Sequence, residues 1–498
     1  MKCKTLAAAV LAAVAAPAFA IVPGSEPNAY QRLDVYGSGA TAIDKQMLAL
    51  AKQICSAGTL DIFTDASSSP QGKSYSAYYC EITAATVPGL TQPYNLMLHK
   101  NSNGGSANGV VPLTTGANED QMIITTGVGS NCGAASVGTS SGNPVWQCNK
   151  ANIENKPLDF GISDVEPKIF ASLGLVLGAA PIVSSAMNAA TFGLPVSTKL
   201  YAALQQAQGL TVGSTDVSQA PNLSRAQISS ILSGGIQDWT QLKVNNVSLN
   251  LAPGVVAPAN TKVQICRRTS ESGTQAQAGV FFNALGCSAG VPAMLADNTT
   301  FDTTGNGLTA ASNLLPFGAV VKKAIVHEYT GSGGVKDCLS VLQDANVWAV
   351  GVLSLESNSS KYKFVKIDGY APTLKNVASN HYGDYFTSTI QWTAAMDAAV
   401  VAPAVDKLAV IRVIRSDASN PTNIKLINDS FNAPATTTPN YTGTDSEVGL
   451  LALPYKSSVV NKVYSYANPV ATASREGATG AGSPNSCATP IQYVNGEL

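Results

Sequence analysis

Charge is scarce in this chain. Asp, Glu, Lys and Arg make up 12% of its 498 residues, and 30 basic residues against 31 acidic ones leave a formal net charge of -1. With no basic run and no basic patch interleaved with aromatics, the composition argues against nucleic acid as a partner. Histidine is rarer still. His99, His327 and His381 lie far apart and no CxxC occurs, which removes the usual zinc patterns. Beyond residue 20 no segment offers the roughly 18 apolar residues that cross a bilayer. The stretch AAVVAPAVDKLAVIRVI comes nearest, but Pro403, Asp406, Lys407 and Arg412 interrupt it, so no transmembrane anchor is expected.

What the chain does carry begins with an export signature. MKCKTLAAAVLAAVAAPAFA places Lys2 and Lys4 ahead of an apolar run ending in small residues at Ala18 and Ala20, the layout of a cleavable secretory signal over residues 1–20. No cysteine immediately follows the cleavage point, so a lipid anchor there is not indicated. Of nine cysteines, Cys3 leaves with the signal, and the even number that remains suits an oxidising compartment. The sequence leaves their connectivity open. Local pairs, for example Cys55 with Cys80, Cys132 with Cys148 and Cys266 with Cys287, would leave Cys338 for Cys487. The expectation is an exported protein, periplasmic or extracellular, stapled by disulfides.

Along the chain, short strands alternate with helices, which implies a mainly parallel α/β architecture. RLDVYGSGATAIDKQMLALAKQI reads as a strand from Leu33 to Tyr36, a Gly-Ser-Gly loop, and a helix whose start carries Thr41 with Asp44 three residues on. LDFGISDVEP puts Ser163 and Asp164 at the carboxyl end of a strand before Pro167. LSRAQISSILSGGIQDW holds a capping box at Ser224 and Gln227, an apolar face of Ile228, Ile231 and Leu232, and a stop at Gly234 and Gly235. ICRRTSESGTQAQAGVFF is the junction between a strand over 262–266 and a helix over 275–285. VWAVGVLSLE, YKFVKIDG and GDYFTSTIQW are strand-like. Beyond Asp417 the chain turns Thr, Pro, Asn and Gly rich and reads as extended or loosely ordered. Residues 138–142 match GxSxG, a chance match, because the strand and helix that motif requires are missing.

A helix start exposes unpaired backbone N–H groups and the positive end of the helix dipole, which together suit a small oxyanion. Glycine lets the backbone approach closely, Ser and Thr hydroxyls add donors, and an arginine fork matches two oxygens of phosphate, sulfate or carboxylate. The 268–274 stretch has all of these, and the 37–41 stretch all but the arginine. A carboxylate such as Asp164, facing the same cavity, accepts a hydrogen bond only from an oxyanion that still carries a proton. It would thus separate hydrogen phosphate from sulfate. A hydrolase has little support, because no nucleophile stands beside a credible base and no metal-ligand cluster is present.

VYGSGAT, NSNGGSANG, DFGISDVEP, LSRAQISSILSGGIQDW, RRTSESGT and VWAVGVLSLE occur in the order found in PstS-type phosphate-binding proteins, the extracytoplasmic receptors of ABC phosphate importers, and over most of the chain it resembles that family. The resemblance implies a two-lobed type II periplasmic-binding-protein fold of the α/β class, with crossover strands near FGLPVS and VWAVGVLSLE. One lobe would take residues 21–190 plus 351–498 and the other 191–350. It implies an anion site of Ala40, Thr41, Ser102, Asp164, Arg268, Ser272, Gly273 and Thr274, with Ser130 the rival to Ser102 and Arg267 pointing away. It also implies a non-enzymatic role without cofactor, inorganic phosphate or a related oxyanion as ligand, and an ABC permease as partner. The family's acid and glycine before Ser-Gly-Thr are Ser270 and Glu271 here, which puts the identity of the anion in question. Extra material around 110–150, 285–345 and 417–498 reads as disulfide-stapled decoration. The competing reading is a secreted or surface scavenger, adhesion or matrix protein on the same fold with altered or lost anion binding.

Overall fold

The computed structural model describes residues 22–65, 74–133, 136–137, 142–258, 260–295, 324–432, 440–456, 459, 463–475 and 484–492. The expected signal at 1–20 lies outside them, as does most of the GxSxG match. Two sheets organise the rest. The larger has 11 strands among the described residues, in the order Leu353–Ser354, Ile182–Gly193, Tyr385–Thr393, Phe160–Ser163, Gln31–Gly39, Tyr94–Asn101, Tyr75–Ile82, Asp61–Thr64, Pro144–Gln147 and Ser136–Val137, with Leu450–Ala452 added beside Ile182–Gly193. The smaller has five: Ile325–Tyr329, Gln264–Arg268, Ala349–Gly351, Pro195–Ser197 and Tyr362–Phe364. Each sheet lies against its own apolar core, so the chain forms two α/β lobes.

Parallel pairing is confined to parts of both sheets. Gln31–Gly39 runs parallel to Tyr94–Asn101 and to Phe160–Ser163, and Gln264–Arg268 parallel to both its neighbours. Elsewhere in the large sheet most pairs are antiparallel, because the long strand Ile182–Gly193 returns against Tyr385–Thr393 and hairpins follow Tyr94–Asn101, although Asp61–Thr64 runs parallel to Pro144–Gln147. The sheets are therefore mixed rather than mainly parallel. Between them the chain passes from Gly193 to Pro195, and comes back from Gly351 to Leu353. Phe192 pairs with Ser354 and Gly193 with Leu353, so the two passages lie side by side. Tyr362–Phe364 then returns to the small sheet before Tyr385–Thr393 joins the large one.

Local signals account for several helices. Ser224 accepts from the Gln227 N–H and the Gln227 side chain accepts from the Ser224 N–H, closing the capping box of helix Arg225–Leu232. Ile228, Ile231 and Leu232 are its buried face. The interrupted apolar stretch is helix Ala404–Ala418, which buries Leu408, Val410, Ile411 and Ile414 against the large sheet. Its Asp406 is fully buried but satisfied by the Thr91 N–H, the Thr91 hydroxyl and the Tyr94 hydroxyl. No helix among the described residues is long and apolar enough to cross a membrane.

Two regions differ from the sequence reading. The stretch after Asp417 contains a helix, Pro421–Asn432, which opens on proline and buries Ile424, Ile427 and Phe431 at helical spacing. Strand Ile325–Tyr329 and helix Ser332–Asp344, expected to be decoration, instead build the small sheet and its covering layer. The disulfides follow that packing. Cys55 joins Cys80 and Cys132 joins Cys148, but Cys266 pairs with Cys338 and Cys287 with Cys487. The local pair Cys266 with Cys287 does not form. Cys266 lies in the sheet under helix Ser332–Asp344, which carries Cys338, whereas Cys287 follows the far end of helix Gly273–Asn283. Non-reducing peptide mapping of the oxidised protein should recover the Cys266–Cys338 and Cys287–Cys487 crosslinks. A Cys266–Cys287 peptide would contradict this packing.

Candidate anion site between the sheets

Strand Gln264–Arg268 ends with two arginines. Successive side chains of a strand point to opposite faces, and the pair separates accordingly. Arg267 turns to Glu328 on the neighbouring strand at 3.2 Å. Arg268 is 1% exposed and turns into the junction between the sheets. One guanidinium nitrogen donates to the Thr41 hydroxyl at 3.1 Å and the Ser332 hydroxyl at 3.0 Å, and the other donates to the Thr330 carbonyl. Thr41 belongs to the large-sheet side, Thr330 and Ser332 to the small-sheet side. One cation thus holds loops from both lobes.

The loops reach this point because glycine lets them. A Cβ on Gly273 would lie 2.2 Å from the Ser106 Oγ and 2.8 Å from the Asp164 Cβ, closer than real side chains come. Gly39, at φ +123°, would put a Cβ 1.9 Å from the Ile162 carbonyl oxygen. With no side chain there, Ala40 N–H donates to that same carbonyl at 2.9 Å and the 37–41 loop lies flat against strand Phe160–Ser163. The Ala107 N–H donates to the Glu271 carbonyl at 3.0 Å, joining the lobes through backbone.

Asp164 faces the same junction, 1% exposed. Its N–H donates to the Ser106 hydroxyl at 3.1 Å and its carboxylate accepts from the Thr274 hydroxyl at 3.5 Å. Burial pushes its carboxyl up to about 6, against the opposing pull of the Arg268 guanidinium. Burial likewise lowers Arg268 to about 10, while Asp164, Asp44 and Glu271 hold its proton. Several buried polar atoms here have no hydrogen-bond partner among the described residues: Asp164 Oδ1, Arg268 Nε and Ser272 Oγ. Buried groups of this kind are ordinarily satisfied. Ser272 also caps helix Gly273–Asn283 without a side-chain bond, so the first N–H groups of that helix remain available.

Ser102 is placed differently from the other expected contacts. Its hydroxyl donates to Asp44 at 2.7 Å and accepts from Lys100 at 2.8 Å, so its proton is committed. Lys100 is 1% exposed and also donates to the carbonyls of Gly39, Ala40 and Asn101, tying the first loop to the second. Burial lowers its pKa, and the Asp44 carboxylate opposes that fall. Thr41 does not cap the first helix; Asp44–Ile54 begins after Ile43 with no side-chain cap, and the Thr41 hydroxyl goes to Arg268. Ser130 bonds the Cys132 carbonyl in the disulfide loop. The structure therefore brings together Ala40, Thr41, Asp164, Arg268, Ser272, Gly273 and Thr274, and adds Ser106 and Ser332. Ser332 had a legible signal: YTGSGG follows a strand and opens a helix, as the other two junctions do. Ser106, after Gly104 and Gly105, had only its glycines.

No family model matches the chain, and no curated protein does. Among solved structures it is similar to a candidate substrate-binding protein of a phosphate ABC transporter from Clostridium perfringens, solved with phosphate. The TM-score is 0.38 and the identity 13%, over 78% of this chain and 96% of that one. An ABC-type phosphate transport receptor from Vibrio cholerae gives 0.35 and 14%, over 76% and 93%. A human phosphate-binding apolipoprotein gives 0.34 and 13%, over 81% and 88%. These values are too low to carry residue roles across.

The raised Asp164 pKa sets a direction for stability. A carboxyl whose folded pKa of about 6 exceeds its ordinary 3.8 favours the protonated folded form. Its contribution is complete at low pH and lost as pH rises through about 6. Asp164→Asn should therefore raise the Tm of the anion-free protein at pH 8 and change it little at pH 4. An equal change at both values would contradict the buried, destabilised carboxylate.

Proposed function

We propose that the chain is an exported, non-enzymatic receptor that encloses one small tetrahedral oxyanion, phosphate first, between its two lobes. The observation that carries this reading is the buried Arg268 set among unpartnered polar atoms of Asp164 and Ser272. Such a constellation costs stability unless something satisfies it. An anion held by the Arg268 fork, the Ser272 hydroxyl and the first N–H groups of helix Gly273–Asn283 would do so. Thr41 and Ala40 would close the large-lobe side, and Ser102 would act at one remove, through Asp44 and Lys100. Asp164 Oδ1 is an acceptor, so the anion meeting it must bring a proton, which favours hydrogen phosphate over sulfate.

Catalysis has no comparable support. His99 bonds Asp34, His327 bonds Gln264 and His381 bonds Ser379, and none of these three joins the Arg268 cluster. Delivery of the anion to a membrane importer is the role we propose on the motif resemblance, with residues 1–20 as the export signal. Closure around the ion would present the permease with a conformation that the empty receptor populates less.

Calorimetric titration of the refolded, anion-free protein should give saturable one-to-one phosphate binding that sulfate does not compete away at pH 8. Arg268→Ala should weaken it at least a hundredfold, since a charge-assisted fork is lost from a buried site. Asp164→Asn, whose amide can donate, should admit sulfate. Phosphate affinity unchanged by Arg268→Ala would remove the site. A folded protein that binds none of these anions would favour the secreted scaffold.

A further inference from the structure

The C-terminal segment crosses from one lobe to the other beside the site. Its first part is anchored on the large sheet. The Ala452 N–H donates to the Pro469 carbonyl at 2.8 Å and the Ala471 N–H to the Ala452 carbonyl at 2.9 Å. Arg475, 8% exposed, donates to the carbonyls of Gly383 and Tyr385 and lies 4.7 Å over the Tyr385 ring. Farther on, the Ser486 N–H donates to the Glu166 carboxylate at 2.8 Å and the Ser486 hydroxyl donates to its other oxygen. Glu166 is 2% exposed and stands two residues beyond Asp164. The next residue, Cys487, is bonded to Cys287, across a sequence separation of 200.

Cys287 lies just past helix Gly273–Asn283, whose first turn holds Gly273 and Thr274. Along that helix Ala276 and Val280 pack against Val165, Ile169 and Phe170, which follow Asp164. One short segment therefore grips both walls of the anion site from behind. A carboxylate holds it to the Asp164 loop, and a covalent bond holds it to the far end of the Arg268 loop's helix. Separation of the walls, which a hinged pair of lobes needs for release, must work against this tether.

We propose that the 484–487 strap is a positioning element of the anion site that holds the two walls together and lengthens the dwell time of the bound anion, with Glu166 and the Cys287–Cys487 bond as its anchors. The proposal rests on the reading of the Arg268 cluster as that site. If loss of the strap lets the occupied walls part about ten times more often, the dissociation rate and with it the apparent Kd rise about tenfold.

The test compares phosphate dissociation by stopped flow from the wild-type chain, a Cys287→Ser/Cys487→Ser variant, Ser486→Ala with the disulfide intact, and a Cys132→Ser/Cys148→Ser control. The strap variant should release phosphate about tenfold faster, Ser486→Ala a few-fold faster, and the control at the wild-type rate. Equal rates in wild type and strap variants would overturn the proposal, as would equal acceleration in the control. Hydrogen exchange of helix Gly273–Asn283 in anion-free protein supplies a second readout. Faster exchange in Ser486→Ala and the strap variant supports the tether, and unchanged exchange overturns it. If the wild-type chain binds no phosphate, the site reading fails, and the exchange result still decides whether the strap holds the two walls.

Discussion

The guanidinium of Arg268 is the constraint around which the junction is built. A charge this deeply buried needs acceptors and counter-charges around it, and here they cover the guanidinium except at Nε. Thr41, Thr330 and Ser332 supply acceptors, and Asp164 and Asp44 supply charge. Those residues belong to strand-loop-helix junctions from both sheets, so meeting the needs of one side chain fixes how the lobes approach each other. The glycines follow from the same demand. Gly273 and Gly39 stand where any side chain would push the loops apart.

Beneath the arginine lies a second buried cation with a different task. Lys100 spends its donors on carbonyls and on Ser102, so it organises backbone. The two cations differ in chemistry in the expected sense. The planar fork of arginine suits a shared, two-pronged contact, and the flexible ammonium of lysine suits a cluster of carbonyls. Lys45 donates to the Glu356 carbonyl at 3.4 Å, and burial raises the Glu356 carboxyl to about 7 against Lys45 and Lys336.

Much of this could be read from residues alone, and the boundary is physical. Strand-to-helix junctions are written locally, in apolar runs that change period across Gly and Ser, and they led to Thr41, Asp164, Arg268 and the Ser272–Thr274 group. The capping box at Ser224 and Gln227 is equally local and formed as read. The bonding of Ser102 was not legible, because one of its partners, Asp44, comes from another element. Asp44 accepts the Ser102 proton while Lys100 donates to the Ser102 oxygen, and sequence spacing carries no sign of that. Thr41 looked like a helix cap for the same reason, since Arg268 is 227 positions away. The long-range disulfides depend on which helix covers which strand, so local spacing favoured Cys287 as the partner of Cys266 where packing supplies Cys338. Strand Ile325–Tyr329 was hidden because comparison with the shorter family cast its neighbourhood as an addition.

The most direct measurement is a crystal structure of the chain grown with phosphate at pH 8. The account predicts one phosphate at the Arg268 fork, with Ser272 Oγ and the first N–H groups of helix Gly273–Asn283 donating to it and Asp164 accepting from it. A structure in which Arg268 keeps only its bonds to Thr41, Thr330 and Ser332, with phosphate elsewhere or nowhere, would contradict it.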